Sequence, residues 1–281
     1  MFSTLLGPLP AIAIADIEAT GIELLATGAP PAAGDEEPAR VVEAWRAVTD
    51  ASDRAVKQVL AGPYSAGRDG PRDRPAELAE RLRATILALT EAGCPFVEID
   101  EPDALAITLV PGERARFADA HRRLVEGLAG VHVSLALSGG NLDGADPATF
   151  FDLAYASFAF DLIAGPDNWR LIAQAPGDRG IVCGALDPSA GGDETPELLM
   201  WAAHYAASTQ GRGLDRVGLA NAPGLASLEP EVALRKLRRI ARAATLAGTD
   251  PQAAAAELDP RAFGGRRNRP GRIRPGDDPT P

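Results

Sequence analysis

The stretch AGCPFVEIDEPDAL, residues 92–105, decides the fold. A turn glycine, Gly93, leads into a short, mostly apolar run from Phe96 to Ile99. That run stops abruptly on Asp100, Glu101 and Pro102. A run of this length bounded by turn residues reads as a buried strand. Its two terminal carboxylates are adjacent on an extended chain, so they point to opposite faces of the sheet. On either side the pattern changes to helical periodicity, over residues 76–92 before the strand and 114–128 after it. A strand between amphipathic helices is the repeating unit of a parallel sheet covered by helices.

Working outward, the same unit recurs. Strand candidates are residues 4–9, 22–27, 56–61, 96–100, 131–137, 158–163, 180–186 and 216–220. The clearest further helices are 38–49, 194–209 and 229–246. Eight such units predict a single (β/α)₈ barrel of the α/β class, filling residues 1–250. An open doubly wound sheet is the alternative, but no G-x-G-x-x-G follows the first strand. Glycine, proline and acidic residues gather just after the strands, at Gly7-Pro8, Gly62-Pro63-Tyr64, Asp100-Glu101-Pro102, Ser138 to Asn141, Asp187-Pro188-Ser189 and Asn221 to Gly224. In a barrel all of these lie on the C-terminal rim, where active sites are built. Turn chemistry alone also uses these residues. The remainder, 251–281, is an Arg/Pro/Gly-rich extension expected to be disordered from about residue 263.

Charge narrows the partners. The 281 residues carry a formal charge of −11. Residues 261–281 hold six Arg and two Asp, a charge of +4, which leaves −15 for the rest. A polyanion such as nucleic acid is therefore not the expected partner. Cys94 and Cys183 are far apart in sequence and fit a reducing, cytoplasmic setting rather than a disulfide framework. The apolar N-terminus lacks a basic leader, and no uncharged run reaches membrane-spanning length. A homodimer or a protein partner stays open.

Five pieces carry a family resemblance: VKQVLAGPYS (56–65), AGCPFVEIDEPDAL (92–105), VHVSLALSGGN (131–141), GIVCGALDPS (180–189) and DRVGLANAPGL (215–225). In this order they resemble the catalytic domain of cobalamin-independent methionine synthase, within the wider uroporphyrinogen decarboxylase superfamily. The resemblance runs to about residue 247. It implies a barrel with a ligand site in its mouth and a zinc ion that holds a substrate thiol as thiolate. The chain departs from it at the metal. The family's fifth-strand His and Cys fall on Ser134 and Ala136, or on His132 and Ser134 in a shifted match. The sixth-strand Glu falls on Asp161 and the last Cys on Pro223. These side chains do not make a tetrahedral zinc site, so no cofactor is expected. Were a metal present, His132, Asp161 and Cys183 would be the first ligands to consider. The homocysteine positions read Gly7-Pro8 and Gly28-Ala29, and only Asp100 matches the group that would meet the amino acid's ammonium.

The candidate site follows from both readings. Glu101 and His132 are the catalytic candidates, with His132 as a general base if its strand face lines the barrel, or a core histidine if not. Binding candidates are Asp100, Ser134, Asn141, Asp161, Asp187, Asn221, Gly7 and Tyr64. Asp161 and Asp187 read equally as pocket lining or as turn caps, and Lys57 as one half of a structural ion pair. Three functions stay open: zinc-independent methyl or alkyl transfer or lyase chemistry on a small amino-acid-like molecule; the family reaction with other metal ligands; or a binding protein on a disabled barrel.

Overall fold

A computed structural model describes residues 1–7, 10–28, 37–192 and 194–258. Eight strands run parallel: β1 (Phe2–Ser3), β2 (Leu24–Thr27), β3 (Ala55–Ala61), β4 (Phe96–Glu101), β5 (His132–Leu137), β6 (Ser157–Asp161), β7 (Gly180–Leu186) and β8 (Val217–Asn221). Their order is β1-β8-β7-β6-β5-β4-β3-β2. One parallel bridge, Thr4 to Leu24, joins the two ends into a barrel. Side chains reinforce this thin seam: Thr4 Oγ1 donates to the Leu24 carbonyl (3.0 Å) and Ser3 N donates to Glu23 Oε2 (2.9 Å).

Eleven helices follow in chain order among the described residues: α1 (Ile14–Glu18), α2 (Pro38–Asp50), α3 (Pro63–Gly67), α4 (Arg74–Glu91), α5 (Ala106–Leu109), α6 (Glu113–Val125), α7 (Ala148–Phe151), α8 (Trp169–Gln174), α9 (Pro196–Ser208), α10 (Pro230–Ala247) and α11 (Pro251–Leu258). The long ones carry the 3.6-residue periodicity visible in the sequence. The connections holding α1, α7 and α8 use helices of four to six residues, too short to impose a periodic signal. One compact unit spans Met1–Gly248, and a second begins at Thr249. The predicted disorder of the extension concerns residues outside those described.

The first strand departs from expectation. It was expected over 4–9 but occupies Phe2–Ser3, and Pro8 and Leu9 lie outside the described residues. Phe2 is drawn inward, onto the bare backbone of Gly218; a Cβ there would come within 2.7 Å of the ring. Past Thr4 the chain leaves the sheet because side chains inside the barrel capture its backbone, as described next. Gly7, at φ +80°, then turns it.

Side-chain alternation divides each strand between the helical shell and the barrel lumen. The shell is one large apolar cluster from both layers, including Val97, Ile99, Leu135, Phe158, Phe160 and Leu237. The lumen is split. Its β5–β8 side is a small apolar cluster of Ala136, Ala159, Val182 and Ala220, with Leu6. On the β3–β4 side the fully buried Lys57 ammonium bonds to the Glu98 carboxylate and to the Leu5 carbonyl. Glu98 Oε1 also accepts from Gly7 N (3.3 Å). The ammonium stands 5.7 Å from the centroid of the Phe96 ring. The ion pair thus holds residues 5–7 across the barrel. Lys236 of α10, also buried, donates to the carbonyls of Asp187 (2.7 Å) and Gly192 (2.6 Å), fixing the loop after β7.

Removing one member of the buried pair strands the other. Lys57→Ala should cost about 3–5 kcal/mol in urea unfolding. A Lys57→Met, Glu98→Leu double variant should recover most of that loss, and equal losses in both would show that the pair is not the source.

Candidate functional site

The rim is set by strand ends. On β4, Phe96, Glu98 and Asp100 face the lumen, while Val97, Ile99 and Glu101 face the helices. Asp100 is half-buried at the mouth, above Glu98. Its carboxylate makes no hydrogen bond or ion pair among the described residues. Lys57, the cation beneath it, is already bonded to Glu98. Burial first, then the negative charges of Glu98 and Glu101, push the Asp100 carboxyl up to about 7. The site therefore offers a carboxyl group that changes charge near neutrality and has no partner committed to it.

Glu101 goes the other way. It is fully buried behind the sheet. Its oxygens accept from Tyr64 N (2.9 Å) and Ser65 N (2.7 Å), and His121 Nε2 lies 2.9 Å from Oε1. His121 Nδ1 in turn meets the Tyr155 hydroxyl at 2.6 Å. Gly62 makes room for this carboxylate, since a Cβ there would lie 2.1 Å from it. Glu101 therefore anchors the loop after β3 and helix α6, and it does not face the lumen. His121, which the sequence reading did not single out, is a fully buried member of this chain. Its four-residue offset from the buried Phe117 on α6 is the signal that could have placed it.

Most other predicted rim residues bind the protein's own backbone. Asp161 Oδ1 accepts from Ile163 N and Ala164 N (both 2.9 Å), a turn cap at the end of β6. Asp187 Oδ1 accepts from Ser189 N (2.7 Å), and that hydrogen bond holds its carboxyl below the usual range. Asn221 clips β8 to the segment that follows β1, with Nδ2 donating to the Leu6 carbonyl (3.1 Å). Asn141 pairs with Asp167 through Nδ2 to Oδ2 (3.0 Å) and Asp167 N to Oδ1 (2.8 Å). Tyr64 is buried outside the barrel wall, its hydroxyl donating to Glu113 Oε2 (2.7 Å). Gly7 reaches the mouth, its N–H committed to Glu98. Asp100, Asp161, Gly7 and Asn221 thus share the C-terminal end, whereas Tyr64 and Glu101 stand behind it.

His132 is not with them. It opens β5, so it sits at the N-terminal end, roughly 16 Å down the strand from Leu137 at about 3.3 Å per residue. Its ring stacks on Phe96 (centroids 4.4 Å apart, 19° between planes) and its Nε2 is 2.7 Å from Ser157 Oγ. A general base for the mouth cannot be supplied from there.

The family's zinc positions hold a poor set of donors. Ser134 offers a fully buried hydroxyl with no hydrogen-bond partner. Ala136 and Pro223 offer no donor, and Asp161 is committed to two backbone N–H groups. His132 lies at the opposite end from Asp161. Cys183 faces the helices, its thiol against the Ala202 carbonyl (3.8 Å) and pushed up to about 12 by burial. Among the described residues no three His, Cys, Asp or Glu side chains form a group that could hold a metal ion. No described helix is long and apolar enough to cross a membrane.

No protein-family model and no curated sequence matches the chain. Its fold is similar to solved structures. A B12-independent methionine synthase from Shewanella sp. W3-18-1, in complex with selenomethionine, superposes with a TM-score of 0.69 at 13% identity, covering 87% of this chain and 96% of that one. A candidate vitamin-B12-independent methionine synthase from Listeria monocytogenes gives 0.61 at 15%, with 84% and 85% covered. D-Psicose 3-epimerase from Clostridium cellulolyticum H10, with D-tagatose, gives 0.54 at 10%, with 87% and 98% covered. At these identities the likeness establishes the barrel fold alone.

The two carboxylates should separate cleanly by mutation. The folded Asp100 holds its proton up to about 7 against 3.8 in the free side chain, so the fold loses stability as pH rises from about 4 to 7. Solvent at the mouth screens this, leaving about 1–2 kcal/mol. Asp100→Asn should therefore be more stable than the parent at pH 8 and equal to it at pH 4. Glu101→Gln should lose about 1–3 kcal/mol at either pH, because its NH2 group faces one of the two backbone donors and leaves it without an acceptor. Denaturant titrations at the two pH values read both effects. A destabilised Asp100→Asn at pH 8 would refute the assignment of the two faces.

Proposed function

We propose that the chain is a barrel enzyme whose mouth binds a small, polar, amino-acid-like molecule through Asp100, and that its chemistry, methyl or alkyl transfer or a lyase reaction, uses no zinc. The observation that carries this reading is the Asp100 carboxylate. It faces the lumen at the mouth, half-buried and unbonded among the described residues, while Asp161 and Asn221 on the same rim are committed to the protein's own backbone. A desolvated carboxylate without a partner is costly to maintain and is satisfied by an incoming cation. The solved methionine synthase that holds selenomethionine supports an α-ammonium as that cation.

Binding such a cation draws Asp100 toward its ionised form, and the released proton leaves the group available as a base. The apolar β5–β8 side of the lumen, with Ala136, Ala159, Val182 and Ala220, would receive the less polar part of the ligand. Without a thiolate-holding metal, the acceptor in a group transfer would be one that needs no such activation. The commitment of Asp161, Asp187 and Asn221 to backbone favours one other reading, a binding protein that has lost its chemistry.

Calorimetric titration with L-methionine, against N-acetyl-L-methionine as the probe without a cation, tests the assignment. The parent should bind methionine and not the acetylated form. Affinity should fall about tenfold from pH 8 to pH 6 as Asp100 takes up its proton. Asp100→Asn should lose binding while remaining folded. Normal methionine binding by Asp100→Asn sinks the role of Asp100, and one equivalent of zinc that survives mild chelation sinks the zinc-free chemistry.

A further inference from the structure

The end of the barrel opposite the mouth has a cavity of its own. It encloses about 440 Å³ among the starts of β1, β5, β6, β7 and the turn before β8. In barrels of this architecture that face ordinarily serves stability, so a polar cavity there needs a reason. Phe2 and Val182 form its apolar side, and His132, Ser157, Arg179 and Arg216 its polar side.

Three features mark it as built rather than left over. The bare backbone of Gly180 keeps the space beside Ser157 open, since a Cβ there would stand 2.9 Å from that of Ser157. The His132 ring is fixed by Phe96 and meets Ser157 Oγ at 2.7 Å, so the floor presents oriented hydrogen-bonding groups. Burial pushes the His132 imidazole below its usual range, which keeps it neutral at pH 7. Arg179 is the third feature. Its Nη1 donates to the Tyr155 carbonyl (2.8 Å), but its buried Nε makes no hydrogen bond. Asp178 Oδ1, on a side chain 74% exposed, makes only a loose ion pair with that Nε at 3.9 Å, and 31% of the Arg179 side chain is itself exposed. The Nε is shut in, so a ligand in the cavity would meet the outer guanidinium nitrogens, where a carboxylate makes charge-assisted hydrogen bonds. Arg216, exposed at the same wall, has no side-chain hydrogen bond or ion pair among the described residues.

We propose that this floor cavity is a binding site for a small carboxylate joined to an apolar group, the carboxylate held by Arg179 and Arg216 and the apolar part lying on Phe2 and Val182. Asp178 and Asp215 also border the cavity, so a monoanion fits better than a dianion such as phosphate. A planar carboxylate also matches the two-nitrogen fork of a guanidinium. This site is independent of the mouth and does not rest on the role given to Asp100.

Benzoate is the probe, with benzamide as its uncharged isostere and inorganic phosphate as the dianion, each titrated into the full chain and followed by backbone amide NMR. Benzoate should give saturable shifts at Ser157, Gly180 and Arg216. Benzamide and phosphate should bind at least tenfold more weakly. Arg179→Gln and Arg216→Gln should each weaken benzoate at least fivefold. Arg179→Gln gives up a bond to Tyr155 and could disturb the fold, whereas Arg216→Gln removes an exposed side chain with no such bond and keeps the test decisive. Asp100→Asn, at the other end, should bind benzoate as the parent does. The proposal falls if benzamide or phosphate matches benzoate, if Arg216→Gln binds normally, or if the shifts lie away from these residues.

Discussion

The lumen is organised around one buried ion pair. Lys57 and Glu98 are both out of water, and each brings the backbone of residues 5–7 into the same network. Two charges taken from water are tolerated only when their remaining hydrogen-bonding capacity is filled. Here the filling groups are the Leu5 carbonyl and the Gly7 amide, so the same bonds that neutralise the pair also shape the chain leaving β1. The seam between β1 and β2 is a single bridge, and the ion pair compensates by tying the start of the chain to β3 and β4. It also adds to the effect of burial on Asp100. With Lys57 spent on Glu98, the carboxyl one step higher has charge of its own sign beneath it.

The end of β4 shows how one strand sorts two chemically similar residues. Asp100 and Glu101 differ by one position and therefore by one face. The outward carboxylate meets two backbone amides and an imidazole, and it becomes a fixed part of the wall. The inward one meets the mouth. Their surroundings diverge for that reason alone, and the pattern I-D-E-P encodes both destinations at once.

Much of this was readable in advance. Strand and helix positions follow from runs and periodicity, and seven of the eight strands lie within about two residues of where the pattern puts them. The first failed because residues 4–9 are apolar enough for a strand, while the force that removes them from the sheet comes from Lys57 and Glu98, far away in sequence. The site was less legible than the fold. Alternation puts Asp100 and Glu101 on opposite faces, and the family resemblance is what names Asp100 as the inward one. The expected strand, 131–137, already opens at His132, so the pattern itself puts this residue at the N-terminal end, and the base reading needed a pocket deeper than the mouth. Asp161, Asp187 and Asn221 carry the residue types of a pocket and of a turn alike, and only the positions of nearby N–H and carbonyl groups decide between them.

The two buried amines have a practical side. Lys57 and Lys236 are the only lysines in the sequence, and both are almost wholly out of contact with solvent. Every other basic side chain is an arginine or one of three histidines. The folded surface therefore presents no ε-amino group to acylating reagents, amine-directed cross-linkers or enzymes that conjugate through lysine. Reagents of this kind would attach at the amino terminus while the barrel holds, and at Lys57 or Lys236 only after it opens, which makes lysine acylation a direct reporter of unfolding.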